Sequence, residues 1–116
     1  LGYIFMPLAY LMGAPWSESH ILGSLLGQKL VLTELIAYLN LSDMTVGDNG
    51  LSEKTAVIAS YALCGFSNFA SIGIQLGGIG SIAPDRKKDI SKLVTKAMIG
   101  GAIASWITAC IAGILI

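Results

Sequence analysis

The sequence predicts an all-α membrane protein: a re-entrant helical hairpin, a broken transmembrane helix and a final transmembrane helix, together a fragment of a larger polytopic protein. Three observations carry this. Of 116 residues, 54% are hydrophobic and only 12% charged, about half the charged share of an ordinary soluble domain. The charges are also segregated, with none from Thr55 to Pro84 and none from Ala97 to Ile116. Each stretch reaches the ~20 helical residues that cross ~30 Å of hydrocarbon. Finally, the chain opens on Leu1 and is apolar at once, without the basic segment or cleavage site of a signal peptide, so it reads as cut from something longer.

The apolar run 1–14 is too short to span and contains Pro7, which suits the tail of a truncated helix. Pro15, Ser17 and Glu18 then suit a new helix start, with Trp16 as an interface anchor. From there to residue 44 the apolar pattern is interrupted by Gly23, Gly27, Gln28, Lys29, Thr33 and Glu34. Two half-helices meeting near Thr33 and Glu34 explain this better than one lipid-facing span. A charge at membrane depth costs about 3 kcal/mol or more, so Lys29 and Glu34 must face protein or a water-filled cavity. In one continuous helix their spacing would set them about 140° apart, which weakens a simple salt bridge.

The turn-rich stretch Ser42 to Gly50, with Gly47-Asp48-Asn49-Gly50, marks an aqueous loop assigned to 45–51. Ser52 and Glu53 open the next helix, 52–83, which meets Gly65-Phe66-Ser67-Asn68 in the middle of its charge-free run. A break is expected there, and broken helices persist in a bilayer where they line a cavity or hold a ligand. Gly73, Gly77, Gly78 and Gly80 follow, permitting close helix contact. Residues 84–89 form a basic loop, and Arg86, Lys87, Lys88, Lys92 and Lys96 place it in the cytoplasm. The acidic loop with Asp43, Asp48 and Glu53 then lies outside. The last helix, 90–116, repeats small residues at Gly101, Ser105, Ala109 and Gly113, a face for helix packing, and Trp106 is expected against a neighbouring helix.

Zero net charge argues against a nucleic-acid partner. Cys64 and Cys110 lie in apolar stretches and read as buried thiols rather than disulfide or metal ligands. The single His20 has no spaced partner, and the glycines after Ser71 sit in an apolar helix rather than a phosphate loop. The informative polar groups are Thr33 and Glu34 in the hairpin, with Ser67, Asn68 and Ser71 at the break. A carboxylate, a carboxamide and a hydroxyl supply what a polyhydroxyl ligand needs, with Phe66 or Phe69 for a flat ring. A network that merely joins helices fits the same residue types, and both readings stay open. A hydrolase using Ser71 ranks last because no general base is evident.

Two stretches resemble a known family. Lys29-Leu-Val-Leu-Thr33-Glu34-Leu35-Ile36-Ala37-Tyr38 is similar to the Lys-x-x-x-Asn-Glu-Phe-Val-Ala-Tyr pattern of the concentrative nucleoside transporters. Ala62-Leu-Cys64-Gly65-Phe66-Ser67-Asn68-Phe69-Ala70-Ser71-Ile72-Gly73-Ile74 resembles that family's Ala-Leu-Cys-Gly-Phe-Ala-Asn-Phe-Ser-Ser-Ile-Gly-Ile signature. The departures are Thr33 for Asn, Leu35 for Phe, Ser67 for Ala and Ala70 for Ser.

The resemblance implies cation-coupled nucleoside symport by alternating access, not enzymatic chemistry, with residues 1–14 ending a scaffold helix. Glu34 and Asn68 would bind ribose hydroxyls, Ser71 would assist, Phe66 would contact the base, and Thr33 would sit at the hairpin tip. The coupling cation, sodium or proton, would bind outside this segment, and no covalently bound cofactor is expected. Implied partners are a nucleoside, membrane lipid, the N-terminal part of the same transporter and two further copies in a homotrimer. Short loops favour a bacterial inner membrane. The alternatives are a transporter of the same fold for a nucleobase or sugar, and a non-transporting membrane assembly subunit.

Overall fold

The computed structural model describes residues 1–46 and 50–116. Its helices are α1 (Gly2–Leu11), α2 (Trp16–Val31), α3 (Glu34–Thr45), α4 (Glu53–Leu63), α5 (Phe69–Ile82) and α6 (Lys87–Leu115), with a 3-10 turn at Pro84–Arg86 and no strand among the described residues.

Local chemistry explains where the helices stop. Gly13, at φ +104°, turns the chain out of α1, and Pro15 precedes the first turn of α2. Leu32 (φ −96°, ψ −103°) ends α2 and Thr33 is extended (φ −149°, ψ 157°), so only these two residues separate α2 from α3. Ser52 caps α4 by accepting from the Thr55 amide. The Glu18 carboxylate accepts from both the Ser52 amide (3.2 Å) and its hydroxyl (2.7 Å), tying the start of α4 to the start of α2. Helix α4 gives way at Cys64, and α5 begins at the Asn68 cap.

The core forms around Leu22, Leu25 and Leu26 of α2. Ala37 and Leu41 of α3, Ile58, Ala59, Ala62 and Leu63 of α4, Ala9 and Met12, and Ala109 of α6 close over them. Helix α1 lies directly on α2: a Cβ at Gly23 would come within 2.5 Å of the Gly2 carbonyl oxygen. The small-residue face of α6 packs in the same way, with Gly113 against the Met12 carbonyl and Gly101 against the Ser67 hydroxyl. Trp106 stands beside Phe5, ring centroids 6.1 Å apart, and its Nε1 has no hydrogen-bond partner among the described residues. The opposite face of α6 exposes Ile99, Ile103, Ile107, Ile111 and Ile114.

Some expectations shift. Helix α3 continues to Thr45, whose hydroxyl donates to the Ser42 carbonyl, so the turn-rich stretch begins later than its composition suggested. Gly47, Asp48 and Asn49 lie outside the described residues. The polar stretch 84–89 is a 3-10 turn followed by the first turn of α6. Beyond Pro84 nothing there breaks a helix, and Arg86 pairs with Asp89 at 2.8 Å. Cys64 is exposed rather than buried, because it sits where α4 ends, and Cys110 is half-buried.

Candidate functional site

Two interrupted helices meet at their interruptions. The α2–α3 break lies against the α4–α5 break, and three side chains from the hairpin bind the second break on both edges.

The first edge is the C-terminus of α4, where the last carbonyls have no partner within the helix. Lys29, 1% exposed, sends its Nζ to the Ala62 carbonyl (2.9 Å) and the Cys64 carbonyl (3.4 Å), and also to the Ser105 hydroxyl of α6 (2.9 Å). Tyr38 donates from Oη to the Ser60 carbonyl at 2.6 Å. The Tyr61 carbonyl is taken by the Cys64 amide.

The second edge is the N-terminus of α5. Glu34 Oε2 accepts from Asn68 Nδ2 at 2.7 Å. The same Asn68 side chain caps α5, its Oδ1 accepting from the Ser71 amide at 2.8 Å. Ser71 completes the capping box: its hydroxyl donates to the Asn68 carbonyl (2.6 Å) and accepts from the Asn68 amide (3.4 Å).

The signs of charge fit the helix dipoles, which are negative at a C-terminus and positive at an N-terminus. The ammonium sits at the end of α4 and in the last turn of α2, while the carboxylate sits at the start of α5 and in the first turn of α3. Each charge therefore complements two helix ends. The five-residue spacing of Lys29 and Glu34 follows, because the hairpin break falls between them.

Of the five residues singled out in the sequence, Glu34, Asn68 and Ser71 form one hydrogen-bonded chain. Asn68 is fully enclosed and Ser71 is 2% exposed, whereas Glu34 is half-buried and is the member open to a ligand. A carboxylate accepting one bond keeps further acceptor capacity for hydroxyl donors. Thr33 is the N-cap position of α3 but makes no side-chain cap bond. Phe66 stands 60% exposed beside the break, and Phe69 likewise. The sequence assigned the Tyr38 hydroxyl no role, marked Ser105 only as a small residue on a packing face, and for Lys29 indicated only a protein or cavity environment. Their partners are largely backbone carbonyls, which carry no side-chain signature. No group of residues suited to hold a metal ion occurs among the described residues.

The family profile "Na+ dependent nucleoside transporter C-terminus" matches residues 1–113. The "Uncharacterized transporter YutK" of Bacillus subtilis is 50% identical over the whole chain, and the "Putative nucleoside permease NupX" of Escherichia coli is 43% identical, also over the whole chain. The chain spans 28% of the length of each. Mouse "Solute carrier family 28 member 3" is 45% identical over 98% of the chain and 18% of its own length. Among solved structures, CNTnw in an inward-facing substrate-bound state aligns with a TM-score of 0.93 at 43% identity, over 97% of this chain and 27% of that one. An outward-facing form of CNTnw aligns with a TM-score of 0.92 over the same shares. The chain belongs to the Na+ dependent nucleoside transporter C-terminus family.

Proposed function

We propose that the full protein carries nucleosides across a membrane with a coupling cation, by alternating access, and that this chain contributes the ribose-binding half of the site. The observation that carries the reading is the Glu34–Asn68 hydrogen bond, which joins the tips of two interrupted helices. Nucleoside binding exchanges that bond for contacts to ribose hydroxyls, with Glu34 reached first because Asn68 is enclosed. Phe66, exposed beside the break, takes the face of the base, Thr33 sits at the hairpin tip, and Ser71 assists at the ribose from the α5 cap.

Helix α6 belongs to a stretch, Pro84–Leu115, long and apolar enough to cross a bilayer. In this reading α2 and α3 form a re-entrant hairpin entering from outside, α4 and α5 form one broken span, and the Arg86–Lys96 end faces the cytoplasm. The whole is a homotrimer in the bacterial inner membrane, surrounded by lipid. Sodium or a proton binds in the N-terminal part. The chain aligns about equally with inward- and outward-facing CNTnw, at TM-scores of 0.93 and 0.92, so its fold is compatible with both ends of an alternating-access cycle.

The test is cation-dependent uptake of radiolabelled uridine by cells expressing the complete transporter, beside Glu34→Gln and Asn68→Ala. Uptake should require a cation gradient and fail in both variants. Removing the charge-assisted bond at Glu34 should cost about 1.5–3 kcal/mol of nucleoside binding. Unchanged uptake by Glu34→Gln sinks the site assignment. Wild-type protein that reaches the membrane without importing uridine redirects the reading to a nucleobase or sugar.

A further inference from the structure

Lys29 is a buried cation, and among the described residues no carboxylate lies within ion-pair distance of it. A desolvated charge is tolerated only where strong acceptors replace its water. Here three oxygens do so, and two of them, the Ala62 and Cys64 carbonyls, exist as free acceptors only because α4 is broken at this point. The third, Ser105, brings α6 to the same centre. Three oxygens at 2.9–3.4 Å around one positive charge form a cation site whose cation is tethered to the hairpin.

The same centre lies next to the nucleoside half-site along the chain. Cys64 is four residues before Asn68, and Lys29 is five before Glu34, so one ammonium fixes how the two breaks face each other. We propose that Lys29 is a positioning residue for substrate binding: as a tethered cation it holds the α4–α5 break in the geometry that presents Asn68 to Glu34. This rests on the nucleoside reading above. Nucleoside affinity should therefore depend on a positive charge at this centre, beyond any dependence of folding. A groove of about 410 Å³ lined by Tyr61, Cys64, Gly101 and Ser105 opens beside these acceptors, so a small free cation can reach a vacated site.

The experiment measures uridine affinity by titration calorimetry on the complete purified transporter at fixed sodium, together with its melting temperature. Lys29→Met should weaken uridine by about tenfold or more, the scale of one lost charge-assisted contact. Lys29→Ala should weaken it similarly, and methylammonium should restore affinity to Lys29→Ala but not to Lys29→Met, whose side chain fills the space. Should neither folded variant be obtained, Ser105→Ala removes one acceptor without vacating the centre, and a few-fold weaker uridine affinity is then expected. Wild-type affinity in Lys29→Met, or in Ser105→Ala where that variant decides, overturns the inference. So does a lowered melting temperature in Lys29→Met or Lys29→Ala with unchanged uridine affinity, the mark of a merely structural lysine. Wild-type protein that binds no uridine brings down the nucleoside reading itself, whereas wild-type binding matched by Lys29→Met brings down this inference alone.

Discussion

Asn68 divides one carboxamide between two tasks: Oδ1 caps α5 through the Ser71 amide, and Nδ2 reaches across to Glu34. The tasks separate by substitution. Serine is a good N-cap but too short to reach Glu34, so Asn68→Ser should keep the melting temperature near wild type and still lose nucleoside affinity. Asn68→Ala should lose both, the cap alone being worth about 1 kcal/mol. Thermal unfolding and uridine binding on the complete transporter, measured for both variants, check this; equal melting temperatures would count against the capping role. The sequence showed part of this arrangement. Asn68 and Ser71 are three apart, and the N-cap to N3 spacing is legible once a break is suspected. The bond to Glu34, 34 residues away, was not, since nothing local fixes which hairpin residue meets the second break.

At the scale of elements, the breaks were legible and their partners were not. Glycine and polar residues inside an apolar run announce an interruption, and Gly65, at φ +112°, is the residue that permits it. Apart from its chain neighbours, no atom of the described residues lies within 4 Å of where its Cβ would sit, yet a Cβ there is strained by conformation alone. Gly65→Ala should therefore destabilise the full transporter by about 1–2 kcal/mol and weaken uridine binding. Gly73→Ala, in a helix with open space around the new methyl, should do neither. Melting temperature and uptake of the two variants, compared directly, distinguish backbone strain from general intolerance of alanine. Gly23 tests packing instead, because its Cβ would strike the α1 backbone. Gly23→Ala should cost about 1–3 kcal/mol of stability, as overpacking does. The late end of α3 and the early start of α6 were missed for one reason: polar residues marked loops in the reading, whereas at helix ends they also cap and pair, as Arg86 and Asp89 do.

At the scale of the whole molecule, the six helices form an elongated body of 53 × 24 × 23 Å whose outer faces are strongly apolar. Leu35 and Leu39 of α3, Ile74, Ile79 and Ile82 of α5, and the isoleucine row of α6 all stand exposed. Leaving one such side chain in water rather than buried forfeits about 1.5–3 kcal/mol, and a native protein keeps only about 5–15 kcal/mol of net stability. Those faces need lipid, or the rest of the transporter, of which this chain spans 28% in its bacterial relatives. The hydrocarbon tails of lipid or detergent can cover isoleucine, but they offer no hydrogen bonds to the half-exposed Glu34. The 116 residues expressed alone should consequently aggregate even in mild detergent, eluting in the void volume on size exclusion. Co-expression with the N-terminal remainder as a separate chain should recover a monodisperse complex that binds uridine. A monodisperse, cooperatively melting preparation of the chain alone would mean that Lys29, Glu34 and Tyr38 clamp the two breaks without help, and that the N-terminal part supplies ligand contacts rather than structure.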